Sequence, residues 1–352
     1  MRALRYHGNR DVRIDDIPEP EVRPGTVKLK VHWCGICGSD LHEYLGGPIF
    51  SPHTDPHPLV GETNPVVMGH EFSGEIIEVG DGVEGLEVGQ RVAVQPTITD
   101  RTCPDCLAGN PPVCKQIGFH GLSGGGGGMS EYTVIPDYMA KVLPDEVPSD
   151  LGALIEPLAV SYHGIRHAGV RAGDTALVFG AGPIGLAAVL CLKAAGASVV
   201  AVSEVAEARK ELARELGADV VLDPTQLDLQ TETDQLTDGR GFDITIDAAG
   251  VQATLDAALG LVRPHGTILN LAIWEGPVDF NPNTLVFTEA RLTASLCYQE
   301  GDFERVIKMV AQRRIDPSSL ITRRISLADA VTDGFEELVA NKDIHAKILI
   351  QP

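Results

Sequence analysis

Ala176-Leu177-Val178-Phe179-Gly180-Ala181-Gly182-Pro183-Ile184-Gly185 is the stretch on which the fold turns. Four apolar residues read as a buried strand, and the Gly180, Gly182, Gly185 pattern with Pro183 and Ile184 reads as a tight turn opening a helix. Glycines there permit the turn and the close approach of a pyrophosphate, whose charge the helix N-terminal amides stabilise. Glu204 ends the next strand roughly 20 residues beyond the loop, where an acid accepts hydrogen bonds from an adenosine ribose diol. A carboxylate at that point favours NAD over NADP by repelling a 2′-phosphate, while Arg209 nearby leaves an NADP reading open.

Outward from this loop the pattern is strand alternating with helix. Strands are expected at 176–180, 198–203, 242–247 and 267–272, and helices at 184–195 and 207–216; that alternation means a parallel sheet. The run 175–192 carries no charge and approaches the roughly 18 residues of a membrane span, but its glycines and Pro183 point to a strand, turn and helix buried on all sides. Residues 1 to 145 read differently, as short strands punctuated by Gly, Pro and Asp at 27–31, 74–79, 91–94 and 131–135. Helices at 302–313 and 327–340 and a strand at 346–350 return the chain to that first lobe. Two domains are therefore expected, 1–153 with 291–352 and 154–290 between them, since 352 residues exceed what one core usually serves. The glycines 124–128 form a tight loop.

Forty-nine acidic against 28 basic residues give a net charge of -21. Such a surface repels phosphate backbones and anionic lipid, so neither nucleic acid nor a membrane is an expected partner, and it suits a cytosol of high salt. The N-terminal residues have no signal-peptide character, which gives a cytoplasmic protein. Seven cysteines in that compartment point to metal or catalysis rather than disulfides.

Cys103-Pro104-Asp105-Cys106 followed by Cys114 has metal-ligand spacing, and Asp100 extends it backwards by the same step of three. A carboxylate is a harder ligand than thiolate, so Asp100 decides whether this site holds zinc firmly. A second set is dispersed: Cys37 within Cys34-Gly35-Ile36-Cys37-Gly38-Ser39-Asp40-Leu41-His42, then Gly69-His70-Glu71, then Glu156. Cys37 and His70 supply thiolate and imidazole, with Glu71 or Glu156 as carboxylate and one position left for substrate. A regular strand through His70 and Glu71 would send them to opposite faces and favour Glu156; an irregular backbone would favour Glu71. A Lewis-acidic zinc and a nicotinamide together fit alcohol oxidation, with Ser39 and His42 passing the proton to solvent and Asp40 orienting His70.

In the same order these motifs resemble the zinc-dependent medium-chain dehydrogenase/reductase superfamily across essentially the whole chain. The resemblance implies an α/β protein: a Rossmann doubly wound parallel-sheet domain that binds NAD, and a GroES-like β-rich catalytic domain formed by both chain ends, with the active site in the cleft. Glu156 stands where that family has a third cysteine, as in its polyol-type branch, and Asp100 replaces the first of four cysteines of the structural zinc lobe. Pro56-His57-Pro58-Leu59-Val60-Gly61-Glu62-Thr63, the 118–123 segment with its following glycines, and Ala272-Ile273-Trp274-Glu275-Gly276-Pro277-Val278 are similar to the 2,3-butanediol dehydrogenase subgroup. That likeness implies a vicinal diol and its hydroxyketone, 2,3-butanediol and acetoin, as substrates, and a homo-oligomer, dimer or tetramer, built by pairing coenzyme domains. The alternatives are another zinc polyol, sorbitol, glucose or threonine dehydrogenase, or a dinucleotide sensor without catalysis.

Overall fold

The strand Thr175–Phe179 lies inside a six-stranded sheet ordered Val220–Leu222, Val199–Ser203, Thr175–Phe179, Phe242–Asp247, Val262–Asn270, Arg291–Ala294, with every neighbouring pair parallel. Strands of a parallel sheet are covered on both faces, so they lose the polar-apolar alternation; Ala176, Leu177 and Val178 are all fully buried. The helix Pro183–Ala195 follows, with Pro183 in its first turn and Gly196 (φ +87°) closing it in the left-handed conformation. The uncharged run 175–192 is thus a buried strand, turn and helix, and no helix of the chain is long and apolar enough to cross a membrane.

This computed structural model describes residues 1–352, which divide into one unit of Met1–Glu156, Gln299–Ala311 and Ile321–Pro352 and a second of Pro157–Tyr298 and Gln312–Leu320. The expected return to the first domain at residue 291 is corrected. Arg291–Ala294 extends the parallel sheet by pairing with Val262–Asn270, so the chain leaves the dinucleotide-type unit only after Tyr298.

In the first unit the strand Thr26–Gly35 is the hub, pairing antiparallel with Glu71–Val79, Tyr132–Pro136 and the C-terminal strand Lys347–Gln351. Leu349 pairs with Gly35 and Ile350 with Cys34, so the end of the chain is stitched to its beginning. Leu29, Phe72, Ile76, Ile135, Ile348 and Ile350 fill the core between these strands. The segment 327–340, expected as one helix, is instead a 3-10 turn, a wide π turn over Ala330–Glu336 and a final α turn. Gly334 packs there against Ile36 and Ile325, where a β-carbon would have no room.

Candidate active site and metal clusters

Cys37 caps the helix Gly38–Gly46 just past the hub strand, so its sulfur sits at the positive end of the helix dipole. His70 follows Gly69, which at φ +93° packs so closely on Cys34 Sγ and Met129 that a β-carbon would come within 2.5 Å and 2.6 Å of them. Glu71 opens the next strand opposite Gly35. The result places one ligating atom from each of Cys37, His70 and Glu71 within 4.8 Å of the others. Glu156, buried in the first turn of Ile155–Ala168, is not one of that group. The kink at Gly69 is the irregular backbone that brings His70 and Glu71 to one side, while Glu156 is near enough to act on the charge of Lys347.

Asp40, fully buried, touches both neighbours: Oδ2 accepts the Cys37 N–H at 2.9 Å, and Oδ1 lies 3.7 Å from His70 Nδ1. Ser39 Oγ stands 3.3 Å from His70 Nε2, and His42 follows one turn later on the same helix, half-buried. His70 Nδ1 and Asp40 Oδ1 are buried without a hydrogen-bond partner. Burial pushes the His70 pKa down, but Asp40 and Cys37 overcome it and hold the imidazole well above its usual range. A thiol, an imidazole and a carboxylate with ligating atoms this close, and two buried polar atoms beside them left unpaired, make a donor set that zinc fits.

Glu71 has a second partner. Lys347, which opens the C-terminal strand ahead of buried Ile348, Leu349 and Ile350, places its ammonium 2.6 Å and 2.9 Å from the two carboxylate oxygens and donates to Ile36 O at 3.1 Å. Sequence reading missed this lysine, although a charge inside Ala346-Lys347-Ile348-Leu349-Ile350 was its signal. Phe119 stacks edge-on to Phe50 and lies 6.5 Å from the His70 ring, which makes an apolar wall beside the polar cluster.

The second cluster also assembles. Asp100, Cys103, Cys106 and Cys114 bring their ligating atoms within 4.8 Å of one another on a short lobe without regular sheet. Amides face the sulfurs, from Cys106 N to Cys103 Sγ and from Asp100 N to Cys114 Sγ, both 3.5 Å. Asp100 Oδ1 accepts the Cys103 and Thr102 amides at 2.8 Å, and these hold its carboxyl below the usual range. The Cys106 thiol is pushed up to about 12 by desolvation and by its sulfur neighbours. Three cysteines and a carboxylate this close make a donor set that zinc fits, with Asp100 in the fourth position.

In the second unit Gly180 takes φ +90°, and a β-carbon on Gly185 would collide with the Gly180 carbonyl. A β-carbon on Gly182 would meet nothing within 4 Å, which leaves open space at the helix N-terminus where a pyrophosphate belongs. Buried Glu204 is braced by Ala181 N–H (2.8 Å) on Oε2 and by Val205 and Ala206 N–H (2.7 and 2.8 Å) on Oε1. Arg209 is half-buried on the following helix, Glu207–Glu215. The loop fits a dinucleotide.

A zinc-binding dehydrogenase family model matches residues 183–312, and an alcohol dehydrogenase GroES-like domain model matches residues 23–145. An (R,R)-butanediol dehydrogenase of Neisseria gonorrhoeae is 42% identical over 354 residues, covering 100% of this chain and 99% of the relative. This chain belongs to the zinc-binding, medium-chain dehydrogenase family. Within that family, the crystal structure of 2R,3R-butanediol dehydrogenase from Bacillus subtilis superposes with a TM-score of 0.94 at 42% identity, covering 100% of this chain and 99% of that one. An alcohol dehydrogenase from E. coli CFT073, solved with NADH, superposes with a TM-score of 0.89 at 30% identity over 100% and 99% of the two chains. Family membership makes the parallel-sheet unit the coenzyme domain and the β-rich unit the GroES-like domain.

Proposed function

We propose that this dehydrogenase interconverts 2,3-butanediol and acetoin with NAD, and that the (R,R) diol is the isomer it takes. The Cys37, His70 and Glu71 cluster carries the reading, in a chain 42% identical over its full length to an (R,R)-butanediol dehydrogenase. Cys37, His70 and Glu71 would hold the catalytic zinc, and Asp100, Cys103, Cys106 and Cys114 a structural one. The catalytic zinc supplies Lewis acidity that makes an adjacent alcohol hydroxyl acidic, and NAD supplies the hydride acceptor.

The chain's own residues do the rest. Asp40 holds the Cys37 amide at 2.9 Å and keeps its other oxygen 3.7 Å from His70 Nδ1, where its charge faces the imidazole. Ser39 Oγ, beside His70 Nε2, accepts the hydroxyl proton of the diol while passing its own toward His42 and solvent. Phe50 and Phe119 give the pocket an apolar wall suited to the methyl groups of a four-carbon diol rather than to a polyol. Glu204 receives the ribose diol, with Gly180, Gly182, Pro183, Ile184 and Gly185 around the pyrophosphate.

The protein works in the cytoplasm as a homo-oligomer. Arg291–Ala294 is an edge strand with a free side, and Val286, Phe287, Leu292 and Leu296 are exposed around it, which supports pairing of coenzyme domains between copies. A Cys37→Ser variant tests the catalytic reading. Turnover of the diol is lost while NADH affinity stays; unchanged turnover removes the metal assignment, and a wild type that binds NADH tightly yet turns over no diol is a sensor.

A further inference from the structure

The coenzyme domain carries a cavity of about 330 Å³ at the N-terminal ends of its parallel strands, the end opposite the glycine turn. Ligands of open parallel sheets bind at the C-terminal ends, so this cavity lies outside the cofactor site. In a chain with a net charge of -21 its walls gather Arg171, Arg263, His265 and Arg291, facing Asp174 and Asp243.

Both acids are already engaged. Asp243 Oδ2 accepts the Thr175 N–H and hydroxyl at 2.8 and 2.9 Å, and its Oδ1 accepts Arg263 Nε at 2.7 Å. Asp174 Oδ2 accepts the Arg171 N–H at 2.8 Å. The arginines retain donors. Arg263 spends Nε on Asp243 and Nη1 on Pro264 O, which leaves Nη2. Arg291 spends Nη2 on Ala168 O and Thr267 Oγ1, which leaves Nη1 and Nε. The Arg171 guanidinium, exposed at the rim, makes no hydrogen bond or ion pair, while His265 at the mouth lies 3.3 Å from Glu289.

We propose that this cavity binds a small phosphate-bearing molecule by its phosphoryl oxyanion, with Arg171 closing over it and Arg263 and Arg291 beneath. Guanidinium groups arriving from three separate chain segments match the tetrahedral array of phosphoryl oxygens better than the single planar fork of a carboxylate. The volume is at the lower end for small-ligand sites and takes a phosphorylated fragment.

Calorimetric titration of inorganic phosphate into the enzyme saturated with NADH, at fixed KCl, isolates this site because the cofactor's own phosphate cradle is filled. One site per chain is expected. Arg171→Gln weakens it by about tenfold or more, the loss of one or two charge-assisted hydrogen bonds, while Arg13→Gln on the far unit leaves it unchanged. Unaltered NADH affinity in Arg171→Gln shows that the domain is intact. No binding to the wild type below roughly 10 mM, which is weaker than about 3 kcal/mol, overturns the proposal. So does equal affinity in Arg171→Gln, or succinate binding as tightly as phosphate.

Discussion

Lys347 Nζ lies 2.6 Å from Oε2 of Glu71, with 2% of the lysine side chain and 1% of the glutamate side chain exposed. The last strand of the chain thereby reaches into the cluster formed by its first third. The ammonium stands behind Glu71 and orients its carboxylate, whose ligating oxygen lies within 4.8 Å of those of Cys37 and His70.

Removing the lysine leaves a buried, unpaired carboxylate. Lys347→Met is expected to lower the stability of the metal-free protein by about 3–5 kcal/mol in denaturant unfolding. The zinc-loaded variant loses less, because the metal neutralises Glu71 in place of the lysine. Equal losses with and without zinc contradict a metal-facing Glu71.

Metal content separates the two acids. The wild type is expected to hold about two zinc per chain in metal analysis. Cys37→Ser, Glu71→Gln and Asp100→Ala each bring that to about one, whereas Glu156→Gln retains both. Retention of two by Glu71→Gln together with loss in Glu156→Gln would move the carboxylate ligand to Glu156.

Much of this was legible in the sequence, for local reasons. The glycine turn, Glu204, and the Asp100, Cys103, Cys106 and Cys114 lobe are set by residues close together in the chain, so spacing alone places them. What spacing did not reach were contacts made by the fold. Lys347 pairs with Glu71 across 276 positions, and only the antiparallel register of Leu349 on Gly35 brings them together. The approach of Glu71 to Cys37 and His70 depends on one glycine, Gly69, whose positive φ the sequence does not announce. The edge strand Arg291–Ala294 was assigned to the wrong unit because a strand's sheet partner is not written in its own residues.

Coenzyme choice is expected to rest on Glu204. Glu204→Gln removes the charge that opposes a 2′-phosphate while leaving the glycine turn intact. The preference for NAD over NADP, read as the ratio of kcat/KM values, narrows by about tenfold or more. An unchanged ratio places the discrimination elsewhere.

His120 sets an acid limit on stability. It is buried against Thr133, its Nε2 2.8 Å from Oγ1, and burial pushes its pKa down to about 4. The unfolded chain binds this proton near pH 6.5, so the neutral form's contribution is complete above that value and is lost as pH falls toward about 4. The difference is about 3 kcal/mol, and His120→Gln flattens the stability profile over that window. A profile as steep in the variant as in the wild type would assign the acid sensitivity to other groups.

The central claim is tested most directly by initial rates of NADH formation from the separate stereoisomers of 2,3-butanediol, before and after chelation and again after zinc is returned. Rapid turnover of the (R,R) isomer to acetoin, loss of that turnover on chelation and its recovery with zinc are expected. Turnover that survives chelation, or activity confined to sorbitol or threonine, contradicts it.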